Sequence, residues 1–384
     1  MAAGEVLKLY LESIAAGGEA LGRIDGKPVF TEGGAPCETA LVQVVQEKKA
    51  WARAKLLEII EPSPYRADPF CEHYSACGGC NLQHINYKAQ IEAKLSILKE
   101  SFLKFADIDL QEIETISYQD DPKEYRNRMQ FHCIRDKVKN DNNNFGLMGR
   151  KSTEIISIND CPVAASGIRN ALKSFSLSMP VEKDRFNIFS FNNVLLNEGG
   201  ITRGKIKLMD KEIIIDAGVF FQSNCYMLEK LILKLWQTAD SADKNNPMTD
   251  LYCGIGTFAF FLGGMFPAFI LAEENKTAVS IARENLKGKK AEFFALKDTQ
   301  WPDTMLRKKT GFAIADPPRA GLNRDLAAAL SQNGPSILAY VSCDAASLAR
   351  DTKILSDGYK LKSVSFFDFY PHTSHIESLA VFER

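Results

Sequence analysis

The sequence predicts three structural parts: a small N-terminal β-barrel, a β-rich centre carrying a cysteine cluster, and a doubly wound α/β domain closed by an antiparallel strand pair. Three observations carry this reading. Glycine turns separate short β-prone runs before residue 62, three cysteines crowd into residues 71–80, and strand-like segments alternate with helical ones beyond Gly218. At 384 residues the chain is too long for one ordinary core.

Hydrophobic residues make up 45% and charged residues 25%, which is enough apolar material for several cores without disulfides. The net charge of -1 argues against a generally basic nucleic-acid coat, yet it leaves a local basic groove open. Nine cysteines, an odd count, fit a reducing compartment in which thiols bind metal or do chemistry. Glu5, Lys8 and Glu12 interrupt the first residues, so no signal peptide is expected. The longest apolar run, Phe258 to Ala272, is broken by Gly263, Gly264 and Pro267 and is too short to span a bilayer. A cytoplasmic protein is the expectation.

Residues 1–62 form the first unit. Gly17-Gly18, Gly26 and Gly33-Gly34 punctuate runs such as PVFTE and TALVQVVQE, the pattern of an OB-like barrel. Such barrels commonly bind single-stranded nucleic acid, although a β-module for protein contacts would read the same way. The linker EPSPYR follows.

Residues 63–215 form the centre. A helix is expected over about 87–105, with Ile91, Leu95, Leu98 and Leu103 as a packing stripe directed at the C-terminal domain. RMQFHCI, FGLMGR and TEIISI read as strands, and DKVKNDNNN as a polar hairpin loop. Residues 216–384 carry five strands alternating with helices and a closing pair, LKSVSFFDF and ESLAVFE. This pairing is the mark of the class I methyltransferase variant of the doubly wound fold.

In TDLYCGIGTF a strand ends near Asp250 and a turn with Gly254 and Gly256 opens a helix, which lets backbone approach a nucleoside-containing cofactor. Glu273, 23 residues after Asp250, stands where an acidic side chain would accept ribose hydroxyls. S-adenosylmethionine and a nicotinamide dinucleotide both need such a site, but the third glycine of the dinucleotide fingerprint is missing.

Ligands bind beyond the carboxyl ends of the strands in such sheets, which directs Asp316 of ADPPRAGL and Cys343 of YVSCDAASLARD toward the cofactor crevice. A lone cysteine is usually a small buried hydrophobe. Cys343, at a strand end and opening a helix, reads instead as a nucleophile.

With FFQSN, DLYCGIGTF, DPPRAGL, SCDAASLARD and HTSHIES in order, the chain resembles the bacterial RNA 5-methyluridine methyltransferases over nearly its whole length. Within them it is most similar to the 23S rRNA branch with an N-terminal TRAM domain and an iron-sulfur cluster. The resemblance implies that Gln222, Tyr252, Thr257, Glu273 and Asp316 contact S-adenosylmethionine, with Gly254 and Gly256 forming the cofactor turn. It makes Cys343 the nucleophile and Glu377 the general base.

The chemistry gives an independent reason for that pair. Carbon 5 of uracil is too weak a nucleophile to attack a sulfonium methyl until a thiolate adds at carbon 6. The proton then left on carbon 5 needs a base, for which Glu377 is the candidate and His372 or His375 the substitutes. Glu377 as a mere surface charge beside a strand is the bland alternative. One departure stands out: relatives usually read Ser-Cys-Asp-Pro-X-Thr, whereas this chain has Ala345 and Ser347 in place of Pro and Thr. Altered loop geometry is expected rather than lost activity.

Cys71, Cys77 and Cys80 form C-x5-C-x2-C, and Cys161 precedes Pro162. Four thiolates suit either zinc or a four-iron cluster, and spacing alone does not choose. The resemblance implies [4Fe-4S]. In EYRNRMQFH, Arg126 and Arg128 interleave with Tyr125, Phe131 and His132, a mixture that contacts phosphates and stacks unpaired bases, or equally a strand with one charged face. The expected partner is RNA, with the target uridine flipped out or single-stranded because carbon 6 of a stacked, paired base is inaccessible. No membrane or obligate protein partner is expected. A tRNA target, a nitrogen methyltransferase and a non-catalytic RNA assembly factor remain as alternatives.

Overall fold

The structure is a computed structural model that describes residues 1–118, 122–134, 145–174, 176–304 and 308–384. The expected polar hairpin loop, DKVKNDNNN, lies outside the described residues. The first five strands are β1 (Val6–Ile14), β2 (Ala20–Ile24), β3 (Lys27–Glu32), β4 (Glu38–Glu47) and β5 (Ala52–Glu61). They close into a barrel in the order β1-β2-β3-β5-β4, which is the OB-like arrangement read from the sequence. Strand alternation explains the closure. Leu9 and Leu11 of β1 point inward onto Val42 and Val44 of β4, while Lys8 and Tyr10 face out.

A cysteine-bearing loop leads to α1 (Tyr87–Ala106). Asn86 caps its start by accepting from the Ala89 N–H at 2.9 Å, and Asp107, with φ of 60°, ends it. The helix buries Ile97, Leu98 and Phe102 against the C-terminal domain. Leu103, expected in this stripe, is 56% exposed, because the face set by Leu98 continues at i+4 through Phe102 and Leu103 turns about 100° away from it. The same helix carries Gln90 and Lys94 fully into the interior.

The centre continues with β6 (Glu114–Ile116), β7 (Arg128–Cys133), β8 (Phe145–Met148), β9 (Ile155–Ser157), α2 (Ser166–Lys173), β10 (Arg185–Phe191) and β11 (Val194–Asn197). Strands β11-β10-β7-β8-β9 form an antiparallel sheet, and the hairpin β12 (Arg203–Leu208) and β13 (Lys211–Asp216) follows it. Phe131, Phe145 and Phe186 pack together in the core of this sheet.

The remaining elements are α3 (Cys225–Ala239), β14 (Met248–Leu251), α4 (Thr257–Phe261), β15 (Phe269–Ala272), α5 (Lys276–Asn285), β16 (Ala291–Phe294), α6 (Trp301–Thr304), β17 (Phe312–Ala315), α7 (Arg324–Asn333), β18 (Ile337–Ser342), α8 (Ala345–Leu355), β19 (Lys360–Phe367) and β20 (Glu377–Glu383). Their sheet has the order β16-β15-β14-β17-β18-β20-β19-β6. The first five strands are parallel, and β20 pairs antiparallel with both β18 and β19, as the expected closing pair requires. Strand β6, from the central stretch of sequence, adds to the far edge in parallel with β19. Both faces of the sheet are covered by apolar cores, which accounts for four-residue strands buried at every position. No helix among the described residues is long and apolar enough to cross a membrane.

Candidate active site

A cavity of about 770 Å³ opens beyond the carboxyl ends of β14, β17 and β18, at a size suited to a nucleoside-containing ligand. Gln222, Tyr252, Gly254, Glu273, Asp316, Cys343 and Glu377 all stand on its wall. Gly256 and Thr257 do not. Gly256, with φ of 77°, backs onto Ala282 of α5, where an added Cβ would lie 3.2 Å away, so its role in the turn is packing and backbone conformation. Thr257 is buried as the first residue of α4.

The turn after β14 is shaped for close approach. Gly254 has φ of 53° and faces open space where a side chain would project, while its N–H donates to Glu273 Oε2 at 3.1 Å. Glu273 Oε1 accepts from the Asn275 N–H at 2.8 Å, which fixes the carboxylate at the end of β15. Tyr252 donates its hydroxyl to Asp298 at 3.0 Å, and its ring meets Trp301 edge-on at 4.6 Å. Beneath the turn, Asp250 accepts from Ala259 N–H through Oδ2, while its Oδ1 is buried with no partner. Burial pushes this carboxyl up to about 8, helped by the nearby Asp316 and Glu273 charges.

These features fit S-adenosylmethionine by their chemistry. The carboxylate of Glu273 suits ribose hydroxyls, the bare Gly254 backbone admits a ligand, and Gln222, donating from Nε2 to Asp316 Oδ2 at 3.1 Å, presents an amide and a carboxyl side by side.

The opposite wall carries Cys343 and Glu377, the expected nucleophile and base. Ser342 of β18 pairs with Ser378 of β20, so the next residues outward, Cys343 and Glu377, meet at the sheet end. Asp344 caps α8, accepting from the Ser347 N–H at 2.8 Å, and the Ser347 hydroxyl donates to the Asp344 carbonyl at 3.1 Å. Burial pushes the Cys343 thiol up to about 12, with the charges of Glu377 and Asp316 adding to the rise and Arg319 opposing it. Glu377 is only 3% exposed, and burial lifts its carboxyl well above the usual range, again with Arg319 opposing.

The two histidines part company. His372 is buried, its Nε2 2.8 Å from the Pro122 carbonyl, whereas His375 lines the cavity 3.3 Å from Arg319. Burial lowers His375 to about 4. Arg319, Tyr370, Asp298 and Arg126 also line the cavity. Sequence reasoning gave the first three no role, although Arg319 sits within DPPRAGL.

The aromatic part of the expected RNA-contact strand is corrected. Tyr125 and Phe131 are buried: Tyr125, ahead of β7, donates to the Pro371 carbonyl, and alternation along β7 turns Met129, Phe131 and Cys133 inward. An aromatic that is available is Phe220, 59% exposed on the cavity wall with the Arg128 guanidinium 6.0 Å above its ring.

Cys71, Cys77, Cys80 and Cys161 are free thiols brought into one neighbourhood. Burial pushes Cys80 up to about 11 and Cys161 to about 12; Cys77 and Cys71 act on Cys80, and Cys80 acts on Cys161. Among the described residues, no three His, Cys, Asp or Glu side chains are placed as a metal centre. The cysteine loop also reaches the cavity, where Gly78 and Gly79 form part of the wall.

A doubly wound sheet with a glycine turn after its first strand, an acid at the end of its second and an antiparallel closing pair defines a class I methyltransferase. Comparisons narrow the class. Residues 287–384 match the family model described as tRNA (Uracil-5-)-methyltransferase. An uncharacterized RNA methyltransferase of Treponema denticola is 33% identical over 395 residues, covering 94% of each chain. The 23S rRNA (uracil(1939)-C(5))-methyltransferase RlmD of Shewanella piezotolerans is 30% identical, over 95% of this chain and 93% of its own. The fold matches that of the Pyrococcus abyssi tRNA (uracil-54, C5)-methyltransferase, solved with S-adenosyl-L-homocysteine, at a TM-score of 0.75 and 22% identity, covering 98% and 100% of the two chains. The chain belongs to the RNA uracil-5-methyltransferase family.

Proposed function

We propose that this protein methylates carbon 5 of a uridine in RNA, with 23S rRNA as the substrate. The observation that carries the reading is the placement of Cys343 and Glu377 together on the wall of the cavity that also holds Gln222, Gly254, Glu273 and Asp316. S-adenosylmethionine, when bound, supplies an electrophilic methyl group. Gln222, Tyr252, Gly254, Glu273 and Asp316 would hold it.

Cys343 as thiolate adds to carbon 6 of the uracil, forming a carbon–sulfur bond and moving the electron pair onto carbon 5 as an enolate. Carbon 5 then accepts the methyl. Glu377 takes the proton from carbon 5, the carbon 5–carbon 6 double bond re-forms, and the sulfur leaves as thiolate. The buried setting that raises Glu377 makes its carboxylate, once ionised, a stronger base than an exposed one. Arg126 and the exposed Phe220 supply a cation and a stacking face at the cavity, suited to a base removed from its helix.

The names of the RlmD relatives favour ribosomal RNA. The test is methyl transfer to 23S rRNA and to tRNA transcripts, followed by nuclease mapping of 5-methyluridine, with Cys343→Ala in parallel. Product in tRNA alone overturns the substrate, and undiminished transfer by Cys343→Ala overturns the covalent route.

The donor set of four thiols, mutually coupled in charge, supports a [4Fe-4S] cluster held by Cys71, Cys77, Cys80 and Cys161. It would tie the loop beside the cavity to the Cys161 segment. Iron and sulfide analysis of anaerobically purified protein tests this, and zinc without iron refutes it.

A further inference from the structure

The segment that carries the base is held from outside the catalytic domain. Strand β19 ends at Phe367, which pairs across the sheet with Glu377, and the intervening residues 368–376 loop over the cavity, where Tyr370 and His375 form part of its wall. A loop of this kind has few ladder bonds to fix it. The first residue of the loop, Asp368, is fully buried and receives Lys94 Nζ at 2.7 Å and the Tyr87 hydroxyl at 2.7 Å. Lys94 donates a second bond to the Tyr370 carbonyl at 2.9 Å. Both donors come from α1, a helix of the central region, and Gln90 one turn along accepts from the His372 N–H at 2.8 Å.

A buried lysine–carboxylate pair is a poor way to gain stability, since desolvating both ions offsets most of their attraction. It is a good way to fix geometry, because each ion has only one arrangement that satisfies it. Here the pair sits at the point where the chain leaves the sheet directly opposite Glu377, and its second bond reaches a backbone carbonyl on the cavity wall.

We propose that Lys94 and Asp368, assisted by Tyr87, are positioning residues that set the Glu377 carboxylate against carbon 5 of the bound uridine. The proposal rests on the covalent uridine reading. Its signature is a defect confined to proton removal. Addition of Cys343 and methyl transfer need the cofactor and base-binding walls, whereas only the last stage needs Glu377 in register, and a misplacement of about 1 Å there costs on the order of 100-fold in rate.

The experiment uses the full-length protein with S-adenosylmethionine and two RNAs, one ordinary and one carrying 5-fluorouridine. With fluorine on carbon 5 there is no proton for Glu377 to remove, so the methylated adduct cannot eliminate and survives denaturing electrophoresis. Lys94→Met and Asp368→Asn should form this adduct within about threefold of the parent rate. On ordinary RNA their kcat should fall roughly 10- to 100-fold with KM for RNA within about threefold, and methylated adduct should accumulate. Tyr87→Phe removes one hydroxyl without stranding a charge, and should show the same split at about two- to fivefold. It decides the matter if the charge variants fail to fold. Equal slowing of adduct formation and turnover, or unchanged kcat in all three, overturns the positioning role. A parent protein that forms no adduct with 5-fluorouridine RNA overturns the covalent reading itself, and the proposal with it.

Discussion

Cys343 and Glu377 lie one step beyond the last registered pair of β18 and β20, Ser342 with Ser378, so an antiparallel ladder delivers a thiol and a carboxyl to the same edge of one cavity. Burial raises both, with Asp316 adding to the rise of Glu377 and Glu377 to that of Cys343. Arg319 opposes the rise at each of them. In the free protein Cys343 is therefore held as a thiol.

That state is measurable by alkylation. Only the thiolate reacts, and with Cys343 raised to about 12 its fraction increases about tenfold per pH unit across the alkaline range. Labelling of Cys343 by iodoacetamide, followed by peptide mass spectrometry, should be slow at pH 8 and still rising at pH 10. Glu377→Gln removes a carboxylate that opposes ionisation and should speed labelling at each pH. A plateau near pH 8.5 would refute the buried-thiol picture.

The carboxyl under the cofactor turn makes a second prediction. Asp250 binds its proton up to about pH 8 in the folded chain, against an ordinary value of 3.8. Between about pH 4 and 8 the folded state therefore holds more protons than the unfolded one, and stability falls as pH rises through that window. Asp250→Asn cannot ionise and still accepts from Ala259. Its melting temperature should fall less than the parent's between pH 5 and 8, leaving it about 2–4 °C higher at pH 8. Parallel curves would show that Asp250 is not the group responsible.

Much of this architecture is legible in the sequence because it is periodic. Alternating strands and helices, the closing pair and the glycine turn each repeat or punctuate on a local scale. What escaped is what only the tertiary structure brings together. Three-residue β6 has no period of its own, and its place beside β19 is settled by the sheet edge it completes. Lys94 looks like a solvated helix residue until Asp368, 274 positions away, is packed against it. Asp298 gains meaning only from the Tyr252 hydroxyl, and the inward turn of Phe131 follows from which face of β7 is covered, which the sequence does not display.

The join between the barrel and the rest of the chain supplies a third prediction. Glu38, fully buried at the start of β4, receives Arg66 through Nε and Nη2, both at 2.6 Å, and Arg66 also donates to the Gly33 carbonyl at 3.0 Å. Glu38→Ala leaves a partly buried guanidinium without its partner, at a cost of about 3 kcal/mol. Hydrogen exchange should accelerate in β1 to β5 while β14 to β18 keep their protection. Uniform loss of protection would mean that the barrel does not open separately.

The loop that presents Cys343 carries Ala345 where the family resemblance leads one to expect proline, and the structure says what a proline there would do. Ala345 is the first residue of α8, a position where a backbone N–H has no helical partner to lose and proline is well tolerated. Asp344 before it is extended, with φ of -144° and ψ of 117°, the region that a following proline favours. The cap survives as well, since the Ser347 N–H and hydroxyl both bond to Asp344. Ala345→Pro should therefore raise the melting temperature by about 1–3 °C through a less flexible unfolded chain, with the methyl-transfer rate within about twofold of the parent. Because Ala345 is only 6% exposed, the ring must fit among its neighbours. A tenfold loss of rate with unchanged stability would mean that the alanine sets the position of the thiol.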